Sequence, residues 1–348
     1  MDIALIVLTG LLLVFTFLSL VHNQYWIFRV FDFPRLQKFF LSIAVLVLVL
    51  LVFEPGNDLK WILAGLLGLN LVYLAVQIFP FTILAKKQVL AAEKDLPDQS
   101  IAVMIANVFQ DNTNISGCLR EIEKTDPDIV LLLETNKRWD EGTREIEKRY
   151  PHHVRVPLEN TYGMLLYSKL ELLNPEVKHL VEADIPSIHT DILLINGQKV
   201  RLIALHPTPP VPNENPRSTE RDKELLLAAD LVKKCKDPVI VIGDLNDVAW
   251  SYTTELFLKM SGLLDPRRGR GFYNTFHAHH FFMRFPLDHA FISPDFKLKS
   301  MRRLKNFNSD HFPIYIHLQY EANAEIEQEP LHPDAGDIEN AEEKKSAD

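Results

Sequence analysis

The sequence predicts an α/β domain carried behind three membrane-spanning helices, and three observations predict it. Residues 1–99 contain three long apolar runs nearly free of charge. From Ile101 onward, short β-branched runs alternate with helical stretches. The excess negative charge is confined to residues 321–348, outside both regions.

The chain has 348 residues and a formal net charge of −9. That length suits one large domain with an appendage. Two cysteines, Cys118 and Cys235, exclude a disulfide framework and a cysteine-based zinc site. A net acidic balance would ordinarily count against a nucleic-acid substrate. By segment, though, residues 1–99 hold 7 basic and 7 acidic side chains, 100–320 hold 28 and 29, and 321–348 hold 2 and 10. The α/β domain is therefore near neutral and the objection falls. The tail lacks aromatic residues and apolar periodicity, so the expectation for 321–348 is a disordered acidic tail.

Residues 1–87 read as a transmembrane region. Ile3–Val21 is uncharged and long enough to cross a hydrocarbon core of roughly 30 Å. Phe39–Phe53 and Trp61–Leu84 are the second and third runs, and Asn70 and Gln77 share a helical face within the third, placed for interhelical hydrogen bonds. The first run lacks a basic flank and is followed by two more, which argues against a signal peptide. Arg29, Arg35 and Lys38 in the first loop, with Lys86, Lys87 and Lys94 after the third run, place both segments on the cytoplasmic face if all three runs cross. Tyr25, Trp26, Phe28, Phe31 and Phe33 suit the headgroup level. Residues 88–99 form a polar linker.

The domain at 100–320 begins with a buried strand at Ile101–Ala106. Further strands are predicted at Ile129–Leu133, Gly163–Tyr167, Val200–Leu205, Val239–Ile242, His289–Ser293 and Ile314–Leu318. The clearest helix follows Pro216, with Thr219 and Asp222 in capping-box spacing and Leu225, Leu226, Ala229 and Val232 on one face. The strands repeatedly stop at residues suited to metal or acid–base chemistry. These are Asn107, Glu134, His206, Asp244 with Asn246, Asp288, and Asp310 with His311. Strand ends aim side chains while the following loop leaves them accessible. His277, His279 and His280 lack a carboxylate companion and read as a rim loop. Arg267, Arg268, Arg270 and Arg284 flank that loop as candidate phosphate contacts.

In this order the motifs LLLET at 131–135, GDLN at 243–246, LDH at 287–289 and SDH at 309–311 resemble the endonuclease/exonuclease/phosphatase (DNase I-like) superfamily. The likeness spans about 101–318. ALHPTPP at 204–210 is similar to the DNase I branch, and the N-terminal spans resemble bacterial membrane-anchored members. The resemblance implies a four-layer α/β sandwich and an enzyme of the bacterial inner membrane that hydrolyses phosphoesters. It also implies a Mg²⁺ ion, or Mn²⁺ in its place, at Glu134 with Asn107 and Asp310. His311 would be the general base oriented by Asp288. Asp244 and Asn246 would position the nucleophile and the phosphate. His206 would bind a phosphate oxygen or protonate the leaving group. Two positions depart from the family pattern: Phe109 stands where the AP-endonuclease branch has aspartate, and no glutamate stands at Thr161–Tyr162 to pair with His206.

The expected partners are the lipid bilayer and a phosphodiester substrate, with nucleic acid the leading class. The alternatives are a phospholipid or sphingomyelinase-like substrate, phosphatase activity, and a catalytically inactive, membrane-tethered binding protein.

Overall fold

The computed structural model describes residues 2–347. Four helices open the chain: α1 (Asp2–Leu20), α2 (Trp26–Arg29), α3 (Arg35–Val52) and α4 (Asp58–Ile78). Asp2–Leu20, Arg35–Val52 and Asp58–Phe81 are each long and apolar enough to cross a membrane. Asn70 donates to the Ser42 hydroxyl at 2.9 Å, and Gln77 accepts from Arg35 at 2.5 Å. Both polar residues of the third run are thus satisfied by the helix beside them.

The α/β region runs β1 (Ser100–Asn107), α5 (Ile115–Thr125), β2 (Ile129–Leu133), α6 (Lys137–Thr143), β3 (His152–Val156), β4 (Met164–Ser168), β5 (Leu172–Lys178) and β6 (Ser187–Leu193). It continues with β7 (Lys199–Leu205), α7 (Thr219–Lys234), β8 (Val239–Asp244), α8 (Tyr252–Ser261), β9 (Asp288–Ile292), β10 (Phe296–Arg303) and β11 (Ile314–Tyr320). Then come α9 (Ala324–Glu327) and α10 (Ala335–Ser346). One sheet has the order β10-β11-β1-β2-β4-β3 and the other β5-β6-β7-β8-β9. Ile105, Leu131 and Leu166 of the first sheet face Leu202, Ala204 and Ile242 of the second across a shared core. Trp139, Cys118 and Ile122 cover the outer face of one sheet, while Leu225, Leu226 and Phe257 cover the other. This is the four-layer sandwich. The central strands are buried on both faces, which is why they read as unbroken apolar runs. Each such side chain contributes about 1.5–3 kcal/mol on burial.

The strands missed by apolar pattern were β3, β5, β6 and β10. Their sequences, such as HHVRV and FKLKSMRR, mix charge with apolar residues. β3, β5 and β10 are edge strands, where one side of the ribbon meets solvent or loop rather than another strand.

Three expectations need correction. Residues 88–99, read as a polar linker, are not polar throughout. Val89 is fully buried and Ala91 bridges Leu298, so the segment lies along β10. The capping box at Thr219 and Asp222 does not form: the Thr219 hydroxyl donates to Gln24 at 2.8 Å, and Asp222 pairs with Arg221 and Lys344. The disordered tail is the largest departure. Residues 335–346 form α10, opened by a capping box between Asp334 and Asp337 and packed through buried Ala341 on the α7–α8 layer.

Charge pairing explains what composition could not. Lys344 reaches buried Asp222 at 2.6 Å, and Lys259 reaches Asp337 at 3.0 Å. Burial alone would raise the Asp222 carboxyl, but Lys344 and Arg221 reverse this and hold it at about 2. A carboxylate depressed on folding adds stability above its unfolded value and loses it as pH falls toward the folded one. This pairing is therefore fully present above about pH 4 and lost as the pH falls through about 2. Lys344→Ala is expected to cost about 2 kcal/mol at neutral pH, since Arg221 still faces the carboxylate. A thermal melt of the full chain in detergent checks this.

Candidate active site

Sheet register assembles the site. β1 and β2 run parallel with Asn107 opposite Leu133, so Glu134 emerges beside Asn107. β7 and β8 run parallel with Leu205 opposite Gly243, so His206 emerges beside Asp244. Asp244 pairs in turn with Asp288 of β9. β11 is antiparallel to β1, and its entry loop carries Asp310 and His311. Six strand ends far apart in sequence thus meet at one edge of the sandwich.

Two glycines make the approach possible. Gly243 has φ of 151°, and a Cβ there would lie 1.8 Å from the Leu205 carbonyl oxygen. Gly163 faces the Thr135 carbonyl equally closely, directly after Glu134. Glu134 and Asn246 adopt positive φ values of 57° and 50° despite having side chains. Such backbone persists where surrounding contacts over-determine it, as at functional sites.

The Asn107 amide donates to Glu134 at 2.7 Å and to Asp244 at 3.0 Å, tying the two sheets together. Its oxygen accepts from the Phe109 N–H at 3.0 Å. Glu134 also accepts from the Gln110 N–H at 3.3 Å. His311 Nδ1 lies 2.8 Å from Asp288, and its Nε2 lies 3.5 Å from Asp244. Asn246 donates to the Pro207 carbonyl at 2.9 Å, clamping the loop after His206 to the loop after β8. His206 is buried against the Tyr162 ring, with no partner for its Nδ1. Tyr162 in turn donates its hydroxyl to Glu214.

Burial raises the Glu134 carboxyl to about 7, and the nearby Asp310 and Asp244 add to the rise. Burial likewise raises Asp244. For His311, burial pulls the ring down, but Asp288 and Asp244 outweigh it and hold the ring up at about 10. Burial lowers His206 to about 4. The site is thus a desolvated, carboxylate-rich pocket whose floor carries an imidazolium at His311.

A divalent cation fits that description. Glu134 and Asp310 offer hard oxygen donors of the kind Mg²⁺ takes, and Asn107 would add its amide oxygen by turning it from the Phe109 N–H. The uncompensated burial of Glu134 is what such an ion would relieve. Asp244, Asp288 and His311 also present ligand atoms within 4.8 Å of one another. There, however, His311 Nδ1 already engages Asp288, as in an oriented acid–base pair. Among the described residues the 277–280 histidines form no such group with a carboxylate.

The flanking arginines do not line the site. Arg267 is buried, forked onto Asp265, and touches His289 at 2.6 Å. Arg268 stacks on Phe81, Arg270 donates to Pro266 O, and Arg284 stacks on Phe312. They brace the fold. Sequence reasoning missed Ser309, which donates to the Asn107 carbonyl at 2.7 Å and accepts from the His311 N–H at 3.0 Å. It also missed Thr275, whose hydroxyl accepts the Asp288 N–H at 3.2 Å. Ser309 lay inside a motif already singled out; Thr275 carried no local signal.

The architecture is shared with solved proteins. D. rerio TDP2 complexed with a single-strand DNA product has 18% identity and a TM-score of 0.54, covering 63% of this chain and 99% of that one. The human Nocturnin catalytic domain has 20% identity and a TM-score of 0.52, covering 65% and 96%. An endonuclease/exonuclease/phosphatase from Bacteroides vulgatus has 18% identity and a TM-score of 0.52, covering 64% and 99%. At these identities the likeness establishes the fold. No curated protein matches the chain. The sequence pattern of one family does match, over residues 104–311, more than half of the chain and the run from the second half of β1 to His311. The chain belongs to the Endonuclease/Exonuclease/phosphatase family.

Proposed function

We propose that this chain is a membrane-anchored, Mg²⁺-dependent phosphoester hydrolase acting on phosphodiesters, its catalytic domain on the cytoplasmic face. The observation that carries the reading is the His311–Asp288 pair set against Glu134, Asp244 and Asp310 in one buried pocket. Family membership supports hydrolysis. The fold neighbour holding a single-strand DNA product is in keeping with a diester. The three apolar helices support the anchor, and the Lys/Arg pattern supports the side.

Glu134, Asp310 and Asn107 would hold the ion. Bound there, it would supply positive charge to the phosphate oxygens and would offset the Asp310 share of the field that raises His311. The residues then divide the work. His311 Nε2 takes a proton from water, while Asp288 holds Nδ1–H and stabilises the imidazolium. The water oxygen bonds to phosphorus as the bond to the leaving oxygen breaks; the leaving oxygen takes a proton from solvent, to which the His311 imidazolium returns its own. Asp244, 3.5 Å from Nε2, borders the position of that water. His206 is neutral because burial holds it at about 4, so it serves as a hydrogen-bond donor to the phosphate rather than as an acid.

The full-length chain in dodecyl maltoside is expected to hydrolyse bis(p-nitrophenyl) phosphate with Mg²⁺ or Mn²⁺, and to stop when EDTA is added. No turnover of any phosphodiester or phosphomonoester with either ion would favour the tethered binding protein instead.

A further inference from the structure

The catalytic pocket is walled by the membrane region. It encloses about 460 Å³, and its floor is the site just described. Trp26, Val30 and Phe33 form one wall; Phe276 and the proline-rich 209–212 loop form another. The first wall belongs to the short connection between α1 and α3, two helices that are each long enough to span.

This connection is docked on the domain. The Trp26 N–H donates to the Pro216 carbonyl at 2.8 Å, and the Ser218 N–H donates to Gln24 O at 2.8 Å. Trp250 donates its indole N–H to the Asp32 carbonyl at 2.8 Å, and Arg35 reaches the Trp250 carbonyl at 2.7 Å. Phe81, just past α4, packs on Trp250 as well. The end of α1, the start of α3 and the end of α4 therefore all meet the domain. If these helices span, the pocket mouth lies at the bilayer surface.

The apolar lining continues outward from the pocket. Val30 is 45% exposed. On the neighbouring loop Phe281 and Phe282 are 71% and 79% exposed. That loop is tied to the start of α3 through Gln37, which donates to the Phe282 carbonyl at 2.9 Å. Exposed aromatic residues at this level are placed to enter the headgroup region.

Charge points the same way. Polynucleotides are held in basic grooves by several Lys and Arg contacts to phosphates. Among the described residues lining this pocket, Arg29 is the single Lys or Arg. It is committed to Asp32 and to the carbonyls of Asn23 and Val21. A polar floor under apolar walls that open at the membrane matches an amphiphile with one phosphate.

We propose that the substrate is a membrane lipid bearing a phosphoester headgroup, which enters from the bilayer along Trp26, Val30 and Phe33 and sets its phosphorus over the catalytic floor. The proposal rests on the hydrolase reading above. One water is consumed, one P–O ester bond breaks, and a lipid fragment separates from a soluble one.

The test uses the full-length protein with Mg²⁺ in dodecyl maltoside micelles, which contain no phosphate. The micelles carry phosphatidylglycerol, phosphatidylcholine or phosphatidic acid. Bis(p-nitrophenyl) phosphate and a single-stranded oligonucleotide are the soluble comparators. We expect kcat/KM for at least one lipid to exceed both comparators by about tenfold or more. Val30→Glu, at an exposed position, should lower the ratio of lipid to soluble-diester kcat/KM at least tenfold, and Phe282→Glu should lower it in the same direction. Preference for the oligonucleotide, equal use of lipid and soluble diester, or an unchanged ratio in both variants would overturn the lipid proposal and leave the hydrolase standing. No turnover of any substrate by the wild type would overturn both.

Discussion

His311→Gln is expected to lower kcat by about 10²–10⁴-fold, the range that a positioned acid–base group supplies. The ring is buried, its Nδ1 is fixed 2.8 Å from Asp288, and its Nε2 is directed at Asp244. Asp288→Asn should cost a comparable factor, because an amide in that place can favour the wrong tautomer. The two losses should not add, since the pair acts as one unit. Removing the imidazolium alone would leave two buried carboxylates facing each other, which threatens folding. The double variant His311→Gln/Asp288→Asn removes one charge of each sign and serves as the control. Steady-state kinetics on bis(p-nitrophenyl) phosphate, with a melt of each variant, checks the prediction. A double variant that folds and still turns over within tenfold of wild type would remove His311 from the chemistry.

Glu134→Gln should produce the second large effect, and in two opposed directions. Burial holds the wild-type carboxyl up at about 7. A carboxylate raised on folding costs stability as pH climbs from its unfolded value toward the folded one. Above that window the metal-free protein bears the full cost, and the neutral amide removes it. The metal-free variant should therefore melt higher than wild type, by about 1–3 kcal/mol in stability at neutral pH. The metal response should move the other way. In wild type, divalent cation at about 100 times its Kd adds about 2.7 kcal/mol, and in the variant this gain should disappear. Turnover should fall about 10²–10³-fold, as when one preorganised charge-stabilising group is lost. Mn²⁺ titration calorimetry reads the binding without activity. A variant that binds Mn²⁺ as wild type does would move the ion elsewhere, to the Asp244, Asp288 and His311 grouping.

Much of the site was legible because its residues follow strands that are apolar on both faces. A run such as IVLLL declares itself by composition, and the charged residue that ends it stands out against that background. GDLN was legible for the same reason, and SDH because it stands just before the apolar run of β11. Edge strands were harder. β5 carries Pro175 and a register shift between Leu173 and Glu176, so no alternation survives to be read. The acidic tail misled because its partners are distant: Lys344 finds Asp222, and nothing near 344 announces a buried carboxylate on α7. Arg29, Arg35 and Lys38 were read by count alone, as a basic loop between apolar runs. In the fold, Arg29 and Arg35 converge on Asp32 and lie buried between the helices and the domain. Least visible was the wall of the pocket. Trp26 and Phe33 read as headgroup-level residues and Val30 carried no signal of its own; the docking of that loop on Pro216 and Trp250 sets all three along the pocket.

The central claim is that this pocket adds water to phosphorus. A single-turnover reaction of the full-length protein with Mg²⁺ and bis(p-nitrophenyl) phosphate in oxygen-18 water tests it most directly, read by mass spectrometry of both products. Attack of water on phosphorus puts one oxygen-18 atom in the p-nitrophenyl phosphate and none in the p-nitrophenol. Label in the phenol, or no product above the His311→Gln background, would contradict it.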